Sequence, residues 1–94
     1  MSEKRCALVT GGSRGIGRAI CVKLAECGMD IVFNCQSGSE AAEETVKLCE
    51  AKNVRVLAVK ADISKSDECQ MLIEKAVEFF GGRIDVLVNN AGIT

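Results

Sequence analysis

The sequence predicts an α/β fold, a doubly wound parallel sheet built in the order βαβαβαβ. Short apolar runs alternate along the chain with longer segments of helical periodicity. The apolar runs are nearly continuous, which is typical of parallel strands covered on both faces. With right-handed crossovers, a strand order of 3-2-1-4 places the first two helices on one face and the third on the other. The end of the first strand and the end of the fourth then meet at the point where the strand order reverses.

The first half of the pattern begins with a strand at residues 6–10, followed by a glycine cluster. Apolar residues then recur at helical spacing from Ile16 until Gly28 ends the helix. A second strand is predicted at residues 31–34. These three segments form one βαβ unit.

The second helix and the third strand follow the same alternation. Ser37 and Glu40 have the spacing of a capping box, and the Ala-, Glu- and Lys-rich residues 41–52 are predicted to be helical. The β-branched residues that follow predict a third strand at residues 54–59.

The last helix is predicted to begin near Ser64 and Asp67, which have the spacing of a weaker capping box. Gly81 and Gly82 end it after Phe80. The apolar residues 86–88 form the fourth strand. On this interpretation the chain holds four strands and three helices.

Composition limits the possible partners. Ninety-four residues with 48% hydrophobic side chains, 27% charged side chains and no proline form a single globular domain. A net charge of −1 without a basic stripe argues against a nucleic-acid partner. No apolar stretch has the roughly 18 residues that a membrane helix needs, and no signal-peptide core follows Met1. We therefore expect a soluble, cytoplasmic protein with no membrane partner.

The six cysteines are Cys6, Cys21, Cys27, Cys35, Cys49 and Cys69. Their spacing is irregular and contains no Cys-x-x-Cys, and the sequence has no histidine to complete a zinc site. We therefore expect reduced thiols, most of them packed as small hydrophobic groups, and no metal site.

The glycine-rich residues 11–17 join the first strand to the first helix. The start of a helix presents unpaired N–H groups and the positive end of the helix dipole, which together favour an anionic group. Glycine at such a turn allows a tight bend, close approach of a diphosphate, or packing of the helix onto the sheet. The loop is therefore predicted to bind a phosphate.

Two other interpretations of this loop remain. Gly12 and Gly17 have the spacing of a mononucleotide P-loop, but Arg18 replaces its lysine and Ala19 lacks the hydroxyl that would bind Mg²⁺. Alternatively, the glycines serve packing alone. The plain dinucleotide fingerprint is also imperfect, because Ile20 stands where that pattern has glycine or alanine.

Two motifs together carry a resemblance to a known family. Thr10-Gly11-x-x-x-Gly15-x-Gly17 and Asn89-Asn90-Ala91-Gly92 resemble the short-chain dehydrogenase/reductase family, most closely its bacterial 3-oxoacyl-acyl-carrier-protein reductase branch. The resemblance covers nearly the whole chain. It implies that residues 1–94 are the N-terminal part of a Rossmann dinucleotide-binding domain.

The cofactor is predicted from the end of the second strand. A NAD-selective site has a carboxylate there to accept both ribose hydroxyls, whereas this sequence has Cys35, Gln36 and Ser37. Arg14 is available for a 2′-phosphate, a role that the resemblance also implies for Arg14 and Ser13. NADP(H) is therefore the expected cofactor. The predicted cofactor contacts are Gly11, Ser13, Arg14, Gly15, Ile16, Gly17, Cys35, Gln36, Ser37, Asp62, Ile63, Asn90, Ala91 and Gly92.

Several of these residues have a purely structural alternative. Arg14 could be a solvated surface charge. The resemblance implies that Asp62 binds the adenine amino group, but Asp62 could instead act as a cap near Ser64. By resemblance Asn90 fixes the sheet and approaches the adenine ribose, with Ala91 and Gly92 making room, although buried amides such as Asn89 and Asn90 also lock neighbouring strands.

The implied reaction is hydride transfer from NADPH to a ketone, with a tyrosine as general acid, assisted by a lysine and a serine. The 94 residues contain no tyrosine and end at Thr94, soon after the fourth strand. We therefore expect a truncated domain with no catalytic residue and no reductase activity of its own. The alternative is a catalytically silent nucleotide-binding or self-assembly module. A flavodoxin-type signalling domain would need an acidic cluster that Asp62 alone does not supply.

The fourth strand is expected to lie at the edge of the sheet. Residues from Val86 to Val88 would then carry unpaired backbone groups that invite another chain. The sequence thus predicts a homo-oligomer formed through this edge.

Overall fold

The computed structural model describes residues 4–12, 15–35 and 40–90 of the chain. The elements are β1 (Cys6–Thr10), α1 (Gly15–Glu26), β2 (Asp30–Cys35), α2 (Glu40–Glu50), β3 (Val56–Lys60), α3 (Ser66–Phe80) and β4 (Val86–Asn89). Within these residues the strands form one parallel sheet in the order β3-β2-β1-β4. The predicted α/β fold, its element order and its strand order are confirmed.

Two core clusters cover the two faces of the sheet. One packs α1 and α2 on β1 and β2, and its largest fully buried side chains include Phe33 and Ile31. The other packs α3 on the opposite face and includes Leu8, Val32 and Leu72. Successive residues of β1 and β2 face opposite clusters, and all of them except Cys35 are buried, which is why apolar side chains predominate in both strands. The predicted placement of the three helices is thereby confirmed.

Some element boundaries differ from the prediction. Helix α1 begins at Gly15 rather than Ile16, and α2 covers residues 40–50 rather than 41–52. Strand β3 begins at Val56, two residues later than predicted. The reason is local: the N–H of Arg55 donates to the Asp30 carboxylate (2.9 Å), so this donor does not take part in the strand ladder.

The predicted capping box at Ser64 is wrong. Lys65 is the N-cap residue of α3, and its side chain makes no capping hydrogen bond. Ser64 instead donates both its N–H (3.0 Å) and its hydroxyl (2.6 Å) to Asp62 Oδ1. The Ser64 hydroxyl is therefore hydrogen-bonded to Asp62 instead of capping the helix. The end of α3 agrees with the prediction, because Gly81 has a φ of 86° and its N–H donates to the last turn. The other capping residue, Ser37, lies outside the described residues.

Two carboxylates, Asp30 and Asp85, form hydrogen bonds between neighbouring strands at the amino-terminal edge of the sheet. Asp30 is 3% exposed and accepts the Nε–H of Arg55 (3.1 Å), whose guanidinium lies 4.8 Å from the Phe79 ring centroid. Asp85 accepts the N–H of Cys6 (2.8 Å), and this hydrogen bond is the largest cause that lowers the pKa of Asp85. The hydrogen bond and the positive charge of Arg83 lower it further. The charges at this edge are thus used in holding the strands together.

All six thiols are free, and Cys6, Cys21 and Cys49 are buried. Burial raises the pKa of Cys21 to about 12, so this thiol stays protonated and packs as a small hydrophobic group. No group of His, Cys, Asp and Glu within the described residues could hold a metal ion. In the described part of the chain, no helix has both the length and the apolar character needed to cross a bilayer.

Candidate functional site

The carboxyl ends of β1 and β4 meet, as predicted, where the strand order reverses. The Thr10 hydroxyl donates to Asn89 Oδ1 (3.2 Å) and accepts the N–H of Asn90 (2.9 Å). The side chain of Asn90, a residue only 3% exposed, donates from Nδ2 to the carbonyl of Gly11 (3.2 Å). The glycine loop and the Asn-Asn turn are therefore joined directly by hydrogen bonds.

Asn34 at the end of β2 is the third support of this site, and sequence reasoning missed it. Its side-chain Oδ1 accepts the N–H of Gly11 (2.6 Å), and its Nδ2 donates to the carbonyl of Ala61 (2.9 Å). Its own carbonyl accepts the N–H of Gly12 (3.3 Å). Asn34 is 2% exposed and so links the ends of β1, β2 and β3. An amide that ends an apolar strand was a usable signal, the same one that marked Asn89 and Asn90.

These hydrogen bonds limit which backbone groups are available to a ligand. The N–H groups of Gly11 and Gly12 already donate to Asn34. Because α1 begins at Gly15, the N–H groups of Gly15, Ile16 and Gly17 belong to its first turn, where no intrahelical acceptor exists. Ile16 is 61% exposed. The anion-binding potential of the loop therefore lies in the first turn of α1 rather than in Gly11 and Gly12.

Two glycines are required by close packing. A Cβ on Gly17 would lie 1.8 Å from the carbonyl oxygen of Gly11 and 2.8 Å from Asn90 Nδ2. A Cβ on Gly12 would lie 2.6 Å from the Cβ of Phe33. Gly17 thus lets α1 approach the end of β1, and Gly12 lets the loop lie over the core. The packing interpretation of these glycines therefore holds for the fold itself, whether or not the loop also binds a phosphate.

Arg18 has a structural role. Its Nε donates to Thr45 Oγ1 (3.0 Å), its Nη2 donates to the carbonyl of Ala41 (3.0 Å), and its Nη1 pairs with Glu44 (3.3 Å). Arg18 is on α1 and its three partners are on α2, so the guanidinium joins the two helices. One of these partners, Thr45, is fully buried. A P-loop would need a cation directed at the phosphates, and the contacts of Arg18 argue against that alternative.

The ends of β2 and β3 form the other side of the site. Cys35 is half-buried; its Sγ lies 3.9 Å from the Val59 carbonyl oxygen, and its own carbonyl accepts the N–H of Ala61 (3.0 Å). Burial raises the pKa of Cys35, and the charge of Lys60 opposes that rise. No carboxylate of the described residues ends β2, since Cys35 is its last residue.

Of the remaining predicted cofactor contacts, Asp62 and Ile63 lie in the described part of the chain. The Asp62 carboxylate holds Ser64, which is the structural alternative considered for it, and the N–H of Asp62 donates to Glu68 (2.7 Å). Ile63 packs toward the core on the α3 face and lines a shallow depression along α3. Ser13, Arg14, Gln36, Ser37, Ala91 and Gly92 lie outside the described residues.

Comparisons with known proteins agree on one family. The family model for short chain dehydrogenase matches residues 5–94. The 3-oxoacyl-[acyl-carrier-protein] reductase FabG of Staphylococcus epidermidis is 47% identical over 90 residues, which is 96% of this chain but only 36% of the relative. Acetoin dehydrogenase from Enterobacter cloacae superposes with a TM-score of 0.89 at 38% identity, covering 98% of this chain and 36% of that one. A short chain dehydrogenase from Mycobacterium paratuberculosis bound to NAD gives a TM-score of 0.85 at 33% identity, with 93% and 36% covered.

Proposed function

The chain belongs to the short chain dehydrogenase family, and from that premise we propose that it is the NADP(H)-binding part of a carbonyl reductase. The observation that carries the proposal is the direct link between the glycine loop and the Asn-Asn turn through Asn90 and Gly11. In doubly wound sheets, this crevice outside the carboxyl ends of the strands is where ligands bind. The chain spans about a third of the relatives that it matches, so the activity of a whole protein is part of the proposal.

The residues present fit a dinucleotide. Gly17 lets the first turn of α1 lie against the end of β1, and the N–H groups of that turn suit a diphosphate. Asn90 Oδ1 is buried and has no hydrogen-bond partner in the described part of the chain, so an acceptor is available beside the loop. When bound, a nicotinamide cofactor supplies the hydride. The residues of this chain would bind and orient it, with no catalytic role assigned to them.

The choice of NADP(H) over NAD(H) rests on the end of β2. No carboxylate ends this strand among the described residues, so nothing there would accept both ribose hydroxyls or repel a 2′-phosphate. Arg14 and Ser13 in the loop are the proposed phosphate contacts, together with Gln36 and Ser37 after β2. The related structure from Mycobacterium paratuberculosis holds NAD, which makes the preference of this chain a question for direct measurement.

The proposed substrate is a 3-oxoacyl group carried on acyl carrier protein, as in fatty acid synthesis. Support comes from the 47% identity to a 3-oxoacyl-[acyl-carrier-protein] reductase. The second candidate, a catalytically silent nucleotide-binding or self-assembly module, is favoured by the lack of tyrosine in the 94 residues. The coding sequence downstream of Thr94 distinguishes the two: an in-frame Tyr-x-x-x-Lys would support the reductase, and a stop codon directly after Thr94 would support the silent module.

We expect NADPH to bind the 94-residue chain about tenfold more tightly than NADH, because a 2′-phosphate adds charge-assisted hydrogen bonds. Fluorescence titration of each cofactor measures both affinities. Equal affinities would contradict the NADP(H) preference, and no binding of either cofactor would contradict the cofactor proposal.

In the same samples we expect no NADPH consumption with a 3-oxoacyl thioester. Enzyme-dependent turnover would show that the 94 residues hold their own catalytic group.

We further propose that the chain self-associates through β4. Within the described sheet β4 pairs only with β1, and Leu87 is 64% exposed on the α3 face. Light scattering is therefore expected to give a mass of at least two chains. A charge placed by Leu87→Lys should lower that mass, because a lysine on an edge strand discourages pairing. A wild-type mass of one chain would contradict the proposal.

A further inference from the structure

Lys60 is an exposed cation at the carboxyl edge of the sheet. It is the last residue of β3, its side chain is exposed, and its register partner on the neighbouring strand is Cys35. No hydrogen bond or ion pair joins it to residues 4–12, 15–35 or 40–90. By contrast, Arg18 and Arg55 are both engaged in holding elements together.

The direction of the Lys60 side chain follows from strand alternation. Val59 packs in the core cluster on the α3 face, whereas Ala58 packs toward the cluster beneath α1 and α2. Lys60 therefore lies on the α1–α2 face. Cys35 packs toward that same cluster, so the two side chains are neighbours on one face of the sheet.

The pairing of the two strand ends holds Lys60 beside Cys35. Cys35 contacts the residues on either side of Lys60, through the Val59 carbonyl (3.9 Å from Sγ) and the Ala61 N–H (3.0 Å). Adjacent strands lie about 4.8 Å apart, well within the reach of a lysine side chain. The electrostatic effect of Lys60 on the Cys35 thiol agrees with this placement.

The end of β2 is also where doubly wound folds distinguish their dinucleotides, through an acid for the ribose hydroxyls or a base for the 2′-phosphate. Lys60 supplies a positive charge there from the neighbouring strand. We propose that Lys60 is a specificity-determining residue that contacts the 2′-phosphate of NADP(H), an inference that rests on the proposed dinucleotide function.

Two small nucleotides test this inference without the nicotinamide half of the cofactor. Adenosine 2′,5′-bisphosphate and adenosine 5′-diphosphate each carry two phosphates and differ in whether one occupies the 2′ position. We expect Lys60→Met to weaken binding of the 2′,5′-bisphosphate about fivefold in calorimetric titrations at low salt, with little change for the 5′-diphosphate. The difference should shrink in 1 M salt, where the screening length falls to about 3 Å. Lys60→Glu should favour the 5′-diphosphate.

Lys75→Met is the matched control. Lys75 is an exposed lysine on α3, on the opposite face of the sheet, and its replacement changes the net charge equally. We expect it to leave both affinities unchanged. Circular dichroism should give the same melting temperature for all three variants as for the wild type, because both side chains are exposed.

The outcomes separate the inference from the function on which it rests. Equal losses in the Lys60→Met and Lys75→Met variants, or equal losses for both nucleotides, would overturn the role of Lys60 and leave the dinucleotide site intact. Wild-type protein that binds neither nucleotide nor NADPH would instead contradict the proposed function. Selective loss of the 2′,5′-bisphosphate in Lys60→Met alone would establish the contact.

Discussion

Replacing Gly17 with alanine is expected to abolish dinucleotide binding and to lower the free energy of unfolding by about 3 kcal/mol. The new Cβ would lie 1.8 Å from the Gly11 carbonyl oxygen, and because that atom is backbone it cannot rotate away. Helix α1 would have to move off the end of β1. The Gly11 carbonyl is also the acceptor of the Asn90 side chain, so the movement would strain the link between the two turns.

Chemical denaturation measures the stability change, and NADPH titration measures the loss of binding. Gly28→Ala is the matched control: Gly28 has a φ of 88° and nothing within 4 Å of an added Cβ. We expect that variant to lose about 1 kcal/mol from backbone strain alone and to bind NADPH like the wild type. If Gly17→Ala were no less stable than Gly28→Ala, the close approach of α1 to β1 described above would be wrong.

The second large effect is expected for Asn34→Leu, which keeps a side chain of similar size but removes the amide. It leaves the Gly11 N–H and the Ala61 carbonyl without their side-chain partner, at a cost of about 2–4 kcal/mol for the two groups together. The residue is 2% exposed, so water cannot easily replace the lost hydrogen bonds. Because Gly11 would no longer be held, NADPH affinity is expected to fall as well.

Asn89→Leu provides the comparison for Asn34→Leu. Asn89 is exposed and its Oδ1 accepts one hydrogen bond from Thr10 (3.2 Å), so its loss is expected to cost about 1 kcal/mol or less. Urea denaturation of both variants gives the two values. Similar small losses would mean that the Asn34 amide does not hold the three strand ends together.

Much of the fold was predictable because it depends on local and periodic properties of the chain. Apolar runs without alternation predicted strands buried on both faces, and β1 and β2 are buried in that way. With the 3-2-1-4 order of doubly wound dinucleotide folds, right-handed crossovers then predicted the faces of the helices, and that order brings Gly11 and Asn90 together. Element boundaries were less predictable, since they depend on contacts such as that between Asp30 and the Arg55 N–H.

Side-chain roles in the site were harder to predict, because they depend on residues distant in sequence. Nothing near Arg18 in the chain indicates that it contacts Thr45 on α2. Ser64 has the spacing of a cap, yet its hydroxyl bonds to Asp62 instead. A pattern gives the residue type and its place on an element, but the partner of a polar group is selected by distance in the folded chain.

The sequence by itself determined the α/β class, the faces on which the helices lie, the meeting of the glycine loop with the Asn-Asn turn, and the lack of tyrosine. These follow from composition, periodicity and chirality, which act without knowledge of long-range contacts. Only the tertiary structure decided that Asn34 holds the glycine loop, that Arg18 forms hydrogen bonds with α2, and that Lys60 lies beside Cys35. Each of these pairings joins residues brought together by packing, and buried polar groups take whichever partner that packing places within reach.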